Sequence, residues 1–201
     1  MGAEVFLETE TDIPLVLRKY APTIKRLEAS PIFKGFDVPH GEGQHVFLTP
    51  GLYESDKALA YIQRFLRTIG YIPESSGIGT NLGQPWQQEL MRKKIHDLVQ
   101  RFGSIYSIGH SFGGFGLAQV AQTEPGLKKV IAIASPFIGG IDTSDTTFME
   151  SIYSENDTVV PPFMSKFRGQ NARNIEVFSP EHIEHVCDPE TFREIGFALA
   201  A

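Results

Sequence analysis

A single cysteine, Cys187, is present in the 201-residue chain, so neither an intrachain disulfide nor a cysteine-rich zinc site can be built from it. No apolar run approaches the length needed to cross a bilayer. Basic charge is also scarce. Against 24 Asp and Glu there are 18 Lys and Arg, and the net charge of −6 gives no electrostatic reason to bind nucleic acid. No cluster of histidines and carboxylates has the spacing of metal ligands, so neither a metal nor another cofactor is expected. Internal repeats, low-complexity tracts and linkers are absent. The start, Met1-Gly2-Ala3-Glu4-Val5-Phe6, has neither the basic flank nor the apolar core of a signal peptide, and position 6 lacks the Ser or Thr of a myristoylation signal. The cytoplasm is the expected compartment.

What is present suits one α/β domain spanning 1–201, because 41% of residues are hydrophobic and 21% charged. Short apolar runs alternate with helical patterns from residue 44 onward. Strands are expected at Gln44–Thr49, from Tyr71-Ile72, and at Ser104–Ile108, Lys129–Ala134, Phe148–Ser154 and Asn174–Phe178. Helices are expected at Asp56–Ile69, with Ser55 as its cap, at Pro85–Phe102 and Phe112–Thr123, and from Pro189 to the C-terminus. That alternation implies a mostly parallel central sheet with helices on both faces. In such sheets ligands bind beyond the carboxyl ends of the strands. Residues 1–43 are expected to form a helical extension packed on the domain, its apolar residues broken by Pro14, Pro22 and Pro31. A membrane-surface or lid-like helix is the alternative there, on the strength of Arg18, Lys19, Lys25 and Arg26.

Gly109-His110-Ser111-Phe112-Gly113 matches G-x-S-x-G between an expected strand and an expected helix, the context in which that motif presents a nucleophile. A serine hydroxyl needs a base to take its proton, and the base needs a third group to fix its tautomer. Only His182 and His185 follow Ser111, and both lie between the last strand and the last helix. His182 directly follows the strand and is preferred as the base, with His185 packed or solvated. Asp157, in the polar turn after the strand ending near Ser154, is the preferred acid; Asp142, Asp145 and Glu155 are alternatives. Backbone N–H groups of Phe112 and Leu52 are the expected oxyanion donors, one after the nucleophile and one in the glycine-containing loop after the first strand.

The segments TPGLYESD, GIGTNLG, GHSFGG, IASPF, YSENDTVVPP and EHIEHVCDPETF, spread over roughly residues 44–200, resemble the α/β-hydrolase superfamily in its small lipase/esterase-like branch. The resemblance implies a catalytic serine, aspartate and histidine at Ser111, Asp157 and His182. Glu181 stands beside the histidine where similar proteins have a small residue, and a carboxylate there is placed to compete for the imidazole. The segment Pro136–Thr147, where larger relatives insert a lid, has no room for a helical cap. An open site is therefore expected, bordered by side chains such as Leu52, Tyr53, Ile78, Phe112, Phe115, Phe137, Phe163 and Met164. Tyr53, Phe137 and Phe163 are the preferred substrate contacts, and an apolar rim of that kind favours a small-molecule apolar ester. The activity implied is carboxylic-ester hydrolysis through an acyl-enzyme. The alternatives are acyl transfer by the same three residues, or a binding protein of the same fold that has lost catalysis. A site without a cap is expected to show no interfacial activation: rate against ester concentration should rise smoothly through the solubility limit, and a sharp jump there would contradict the short-lid argument.

Overall fold

Among the described residues six short strands form one sheet in the order β2-β1-β3-β4-β5-β6, and every neighbouring pair is parallel. They are β1 (His45–Thr49), β2 (Ile72–Ser75), β3 (Ile105–His110), β4 (Leu127–Ile133), β5 (Phe148–Tyr153) and β6 (Ala172–Glu176). The computed structural model describes residues 15–137, 141, 146–178 and 180–201. Asp142 and Asp145, alternatives for the acid, lie outside the described residues. Among the described residues five α-helices accompany the sheet: α1 (Ala21–Ala29), α2 (Ala60–Thr68), α3 (Pro85–Phe102), α4 (Phe112–Val120) and α5 (Pro189–Ala200). None of them is long and apolar enough to cross a membrane.

Alternation along the strands divides the core in two. Val46, Leu48, Ile131 and Ile133 face Ile62 and Phe65 of α2 and Phe192 and Ile195 of α5. Phe47, Val130 and Ala132 face the other way, towards Met91 and Ile95 of α3 and Leu117 of α4. Helices therefore cover both faces, as parallel sheets require. The chain leaves β1 for β2 on one side and then crosses to β3 on the other, so the strand order reverses between β1 and β3. The crevice beyond the carboxyl ends of those two strands is the usual place for a ligand in a sheet of this kind.

Residues 1–14 of the expected N-terminal extension lie outside the described residues; from Leu15 onward the segment belongs to the first core. A 3₁₀ turn at Leu15–Tyr20 leads into α1, and Leu17, Ile24, Leu27 and Phe33 are buried with α2 and α5. Pro22 sits in the first turn of α1, where its missing N–H costs nothing, and the helix stops at Ser30 before Pro31. Two of the four cations that suggested a membrane-facing helix are turned to the protein instead. Lys19 pairs with Glu181 at 2.8 Å, and Arg26 lies 3.9 Å from Glu184.

Two local expectations differ from the structure. The helix foreseen at Asp56–Ile69 starts as a 3₁₀ turn at Asp56–Leu59, and the Ser55 hydroxyl does not cap it. Asp56 explains the tighter start: its carboxylate accepts from the N–H and hydroxyl of Ser76 and the N–H of Gly77, tying this turn to the end of β2. The last strand lies two residues earlier than its apolar residues suggested. It is an edge strand, and Arg173 within it is held by an ion pair to the buried Glu150 at 2.7 Å, a side-chain contact that alternation does not report.

Between β3 and α4 the chain turns with almost no spare room. A Cβ on Gly113 would stand 2.4 Å from the Thr49 carbonyl oxygen and 2.6 Å from that of Pro50; one on Gly109 would stand 2.4 Å from the Gly114 nitrogen. Helix propensity alone favours alanine over glycine by about 1 kcal/mol, whereas overpacking against fixed backbone costs about 1–3 kcal/mol or more. Gly113→Ala is therefore expected to destabilise the protein, lowering the urea midpoint; an unchanged or raised midpoint would show that the turn has slack. A second expectation concerns acid. Burial, helped by the charge of His110, pulls the pKa of His185 from 6.5 down to about 3. Between those values the unfolded chain binds a proton that the folded chain does not. The contribution of this group is complete above about 6.5 and declines by about 1.4 kcal/mol per pH unit as the pH falls. Urea unfolding of His185→Gln should show a shallower pH slope across that window than the native protein.

Candidate active site

Ser111 follows β3 directly and has a backbone φ of 51° with ψ of −125°, a conformation a non-glycine residue adopts only when its surroundings hold it there. Two anchors do so. Its N–H donates to the Ile133 carbonyl at 2.8 Å, extending the β3–β4 ladder, and its own carbonyl accepts from the Gly114 N–H at 3.0 Å, starting α4. The hydroxyl is thereby held at the carboxyl edge of the sheet. His182 comes from the loop after β6, and its Nε2 lies 2.9 Å from Ser111 Oγ. Its Nδ1 lies 2.8 Å from Oδ2 of Asp157, in the loop after β5.

The surroundings of Asp157 settle the tautomer. Its Oδ1 accepts from the N–H groups of Val159 and Val160 at 2.9 and 2.8 Å. Burial disfavours its charge, but the hydrogen bond to His182 and those two N–H groups outweigh burial and hold the carboxyl below its ordinary value. An ionised carboxylate only accepts, so Nδ1 of His182 carries the hydrogen and Nε2 is left to receive one from the serine hydroxyl. All three residues are at least nine-tenths buried. Of the alternatives, Glu155 is exposed, and His185 is fully buried with its Nδ1 3.2 Å from the Thr191 hydroxyl. Glu181 does not compete for the imidazole. Its carboxylate accepts from Lys19 and from the Tyr20 hydroxyl, both on the N-terminal segment.

The loop after β1 crosses in front of the serine. The N–H groups of Gly51, Tyr53 and Glu54 have acceptors in the Glu54 carboxylate, the Asn81 carbonyl and the Gly51 carbonyl respectively. The N–H of Leu52 between them has no partner among the described residues. Phe112 opens α4, so its N–H has no intrahelical acceptor either. Two residues here went unnoticed in the sequence. Oε2 of Glu54 lies 2.9 Å from Nδ1 of His110, and Nε2 of His110 lies 3.0 Å from the carbonyl oxygen of His182. Both side chains are buried. Burial opposes both charges, yet each group favours the other's: Glu54 is held below its ordinary pKa and His110 above. The available signal was an acid and a histidine, each adjacent to a site segment, with nothing to show that they meet.

A cavity of about 600 Å³ opens over Ser111 and His182, with largely apolar walls that include Val16, Leu52, Tyr53, Phe112, Val159 and Met164. Of the residues expected to border a substrate, Leu52, Tyr53, Phe112 and Met164 line it. Phe137 does not: its ring stacks on Phe167 at 3.9 Å between centroids, within the second core. Phe163 is exposed outside the lining, where the next residue, Met164, takes its place. An aromatic residue near a site loop and one in the core carry the same sequence signal, and packing alone separates them.

No family model matches the chain, and no curated protein does. Solved structures do. A predicted CIB-like hydrolase from Thermoplasma acidophilum superposes with a TM-score of 0.57 at 19% identity, over 79% of this chain and 86% of that one. A monoacylglycerol lipase from Paleococcus ferrophilus superposes with a TM-score of 0.60 at 15% identity, over 81% of this chain and 94% of the other. Likeness at such identities concerns architecture. With its parallel sheet, its helices on both faces and the sharp turn at Ser111, the chain has the α/β-hydrolase fold.

Proposed function

We propose that this chain is a serine hydrolase that cleaves carboxylic esters of apolar acyl groups. The observation that carries the reading is the line Ser111–His182–Asp157, with contacts of 2.9 and 2.8 Å, on a serine held in a left-handed backbone conformation. His182 Nε2 takes the hydroxyl proton as Ser111 Oγ attacks the ester carbonyl. The oxyanion that forms is met by the N–H groups of Leu52 and Phe112, fixed donors that need no reorganisation when charge develops. Asp157 holds the ring and stabilises the imidazolium. The proton passes to the departing alkoxide, the C–O bond breaks, and the acyl group stays on Ser111. Water then gives its proton to His182, adds to the acyl carbonyl and releases the acid, returning the proton to Oγ.

The apolar cavity supports the choice of substrate. It has room for a hydrocarbon chain beside the serine, and the acidic and imidazole side chains among its lining residues, Glu54, His110 and His182, are engaged with one another or with the serine line. The test is a panel of chromogenic esters of graded acyl length. Ser111→Ala should lower kcat by about 10⁴–10⁶-fold and abolish labelling by a fluorophosphonate probe, and Asp157→Asn should cost about 10⁴-fold through the wrong tautomer. Full turnover by Ser111→Ala would refute the assignment.

A further inference from the structure

Beyond the three residues just assigned, and resting on that reading for its functional consequence, we infer that Glu54 and His110 form a buried positioning pair that holds the oxyanion loop and the His182 loop in register with Ser111. The pair joins three segments that meet nowhere else in the same way. Glu54 lies in the loop after β1, His110 is the last residue of β3 immediately before Ser111, and His182 lies in the loop after β6. A single oxygen, Glu54 Oε2, accepts from the Gly51 N–H at 2.8 Å and faces His110 Nδ1 at 2.9 Å. The far side of the same ring reaches the His182 carbonyl at 3.0 Å. The oxyanion loop is thus linked through one carboxylate and one imidazole to the backbone of the residue that contacts Ser111.

Proton counting shows why this pair requires these two residues. The His182 carbonyl only accepts, so Nε2 of His110 carries a hydrogen. Oε2 already accepts from Gly51 and still contacts Nδ1, so one further proton lies between Oε2 and Nδ1. A ring nitrogen is a stronger base than a carboxylate, so that proton belongs to the imidazole and the pair is imidazolium and carboxylate. Glutamine at position 54 cannot reproduce it. With its oxygen in the Oε2 position it leaves a buried cation without a counter-charge; with its nitrogen there it loses the Gly51 N–H. In the first case a ring that sheds its proton to escape that cost gives up one of its two contacts; in the second the Gly51 N–H is left without its acceptor. The charges that face His110 are Glu54 and Asp157, with His182 and His185 nearby, and the ring centroids of His110 and His182 are 5.0 Å apart. The pair adds no net charge beside His182. Both side chains border the cavity over Ser111, but Oε2 of Glu54 and both ring nitrogens of His110 are engaged with Gly51, with each other and with the His182 carbonyl, so the effect of the pair is exerted through the two loops.

The experiment compares native protein with Glu54→Gln, His110→Gln and the double variant, at a temperature where circular dichroism shows each folded. Displacing a catalytic group by a fraction of an ångström to about 1 Å costs up to about 10²-fold in rate. Each single variant should therefore lose about 10–100-fold in kcat with KM changed by less than about 3-fold, and fluorophosphonate labelling should slow in proportion. The double variant should be no slower than the slower single, because the two groups act as one unit. In native protein, ¹⁵N spectra of the His110 ring should show both nitrogens still protonated above the ordinary histidine value of about 6.5. Variants that melt earlier yet keep kcat within about 2-fold would make the pair a stability feature only and overturn the inference. So would a neutral His110 ring in native protein, a result that decides the matter even if neither variant folds. Failure of the hydrolase reading is distinguishable: native protein that the fluorophosphonate does not label sinks that reading, whereas labelled native protein with unaffected variants sinks this one.

Discussion

Ser111 is held in a backbone conformation that the residue would not choose, and the rest of the site follows from what holds it there. Its N–H completes the ladder to β4, its carbonyl begins α4, and Gly109 and Gly113 let that helix and the loop after β1 approach to within contact of the backbone. Relaxing any of these would let φ return to an ordinary value and carry the hydroxyl off the edge of the sheet. A strained residue of this kind costs on the order of 1–3 kcal/mol and persists only where packing overdetermines it. β3 contributes to both core clusters, Ile108 to one and Ile105 to the other, so the strained turn grows from a strand packed on both faces.

The other two members of the line are supplied from less rigid places. Asp157 is anchored locally, by two N–H groups of its own turn. His182 stands in a loop at the far side of the sheet, beyond an edge strand, and it is held from two directions. The His110 ring takes its carbonyl from within. From outside, the N-terminal segment takes the flanking acids: Lys19 and Tyr20 bind Glu181, and the Thr23 hydroxyl donates to Glu184. Exposed pairs such as Lys19–Glu181 are weakened by solvent screening, so the inner, buried contact carries more of the positioning than the outer ones.

Much of this arrangement was legible in the chain because the relevant signals are local. Pro85–Phe102 is bounded by a proline and a glycine, and its helix has those limits in the structure. The near-continuous apolar runs around Ile131 and the G-x-S-x-G between a strand and a helix are also local, which is why the sheet and the position of Ser111 could be located. What was not legible depends on pairs distant in sequence. Glu54 and His110 are 56 residues apart, and no spacing rule connects them. The neutralisation of Glu181 by Lys19 spans 162 residues, so the apparent threat to His182 could be resolved only by the fold. Phe137 failed as a rim residue for a related reason: its partner, Phe167, comes from a later segment and turns it into core.

The N-terminal segment has a second part in the site that its distance along the chain conceals. Within one 3₁₀ turn Val16 lines the cavity over Ser111, Leu17 is fully buried in the first core, and Lys19 and Tyr20 hold Glu181 beside His182. Leu17 fixes the turn, and the turn in turn sets where Val16 stands as part of the cavity wall. An apolar wall discriminates weakly between similar chains, about 1–3 kcal/mol per methylene. The length of chain that fits is therefore decided by where the walls end rather than by the strength of any one contact. Val16 and the clamp on Glu181 share one short, core-anchored turn, so the same few residues border the cavity and brace the histidine loop. A segment that looks in sequence like an appendage is thus part of the wall and of the frame.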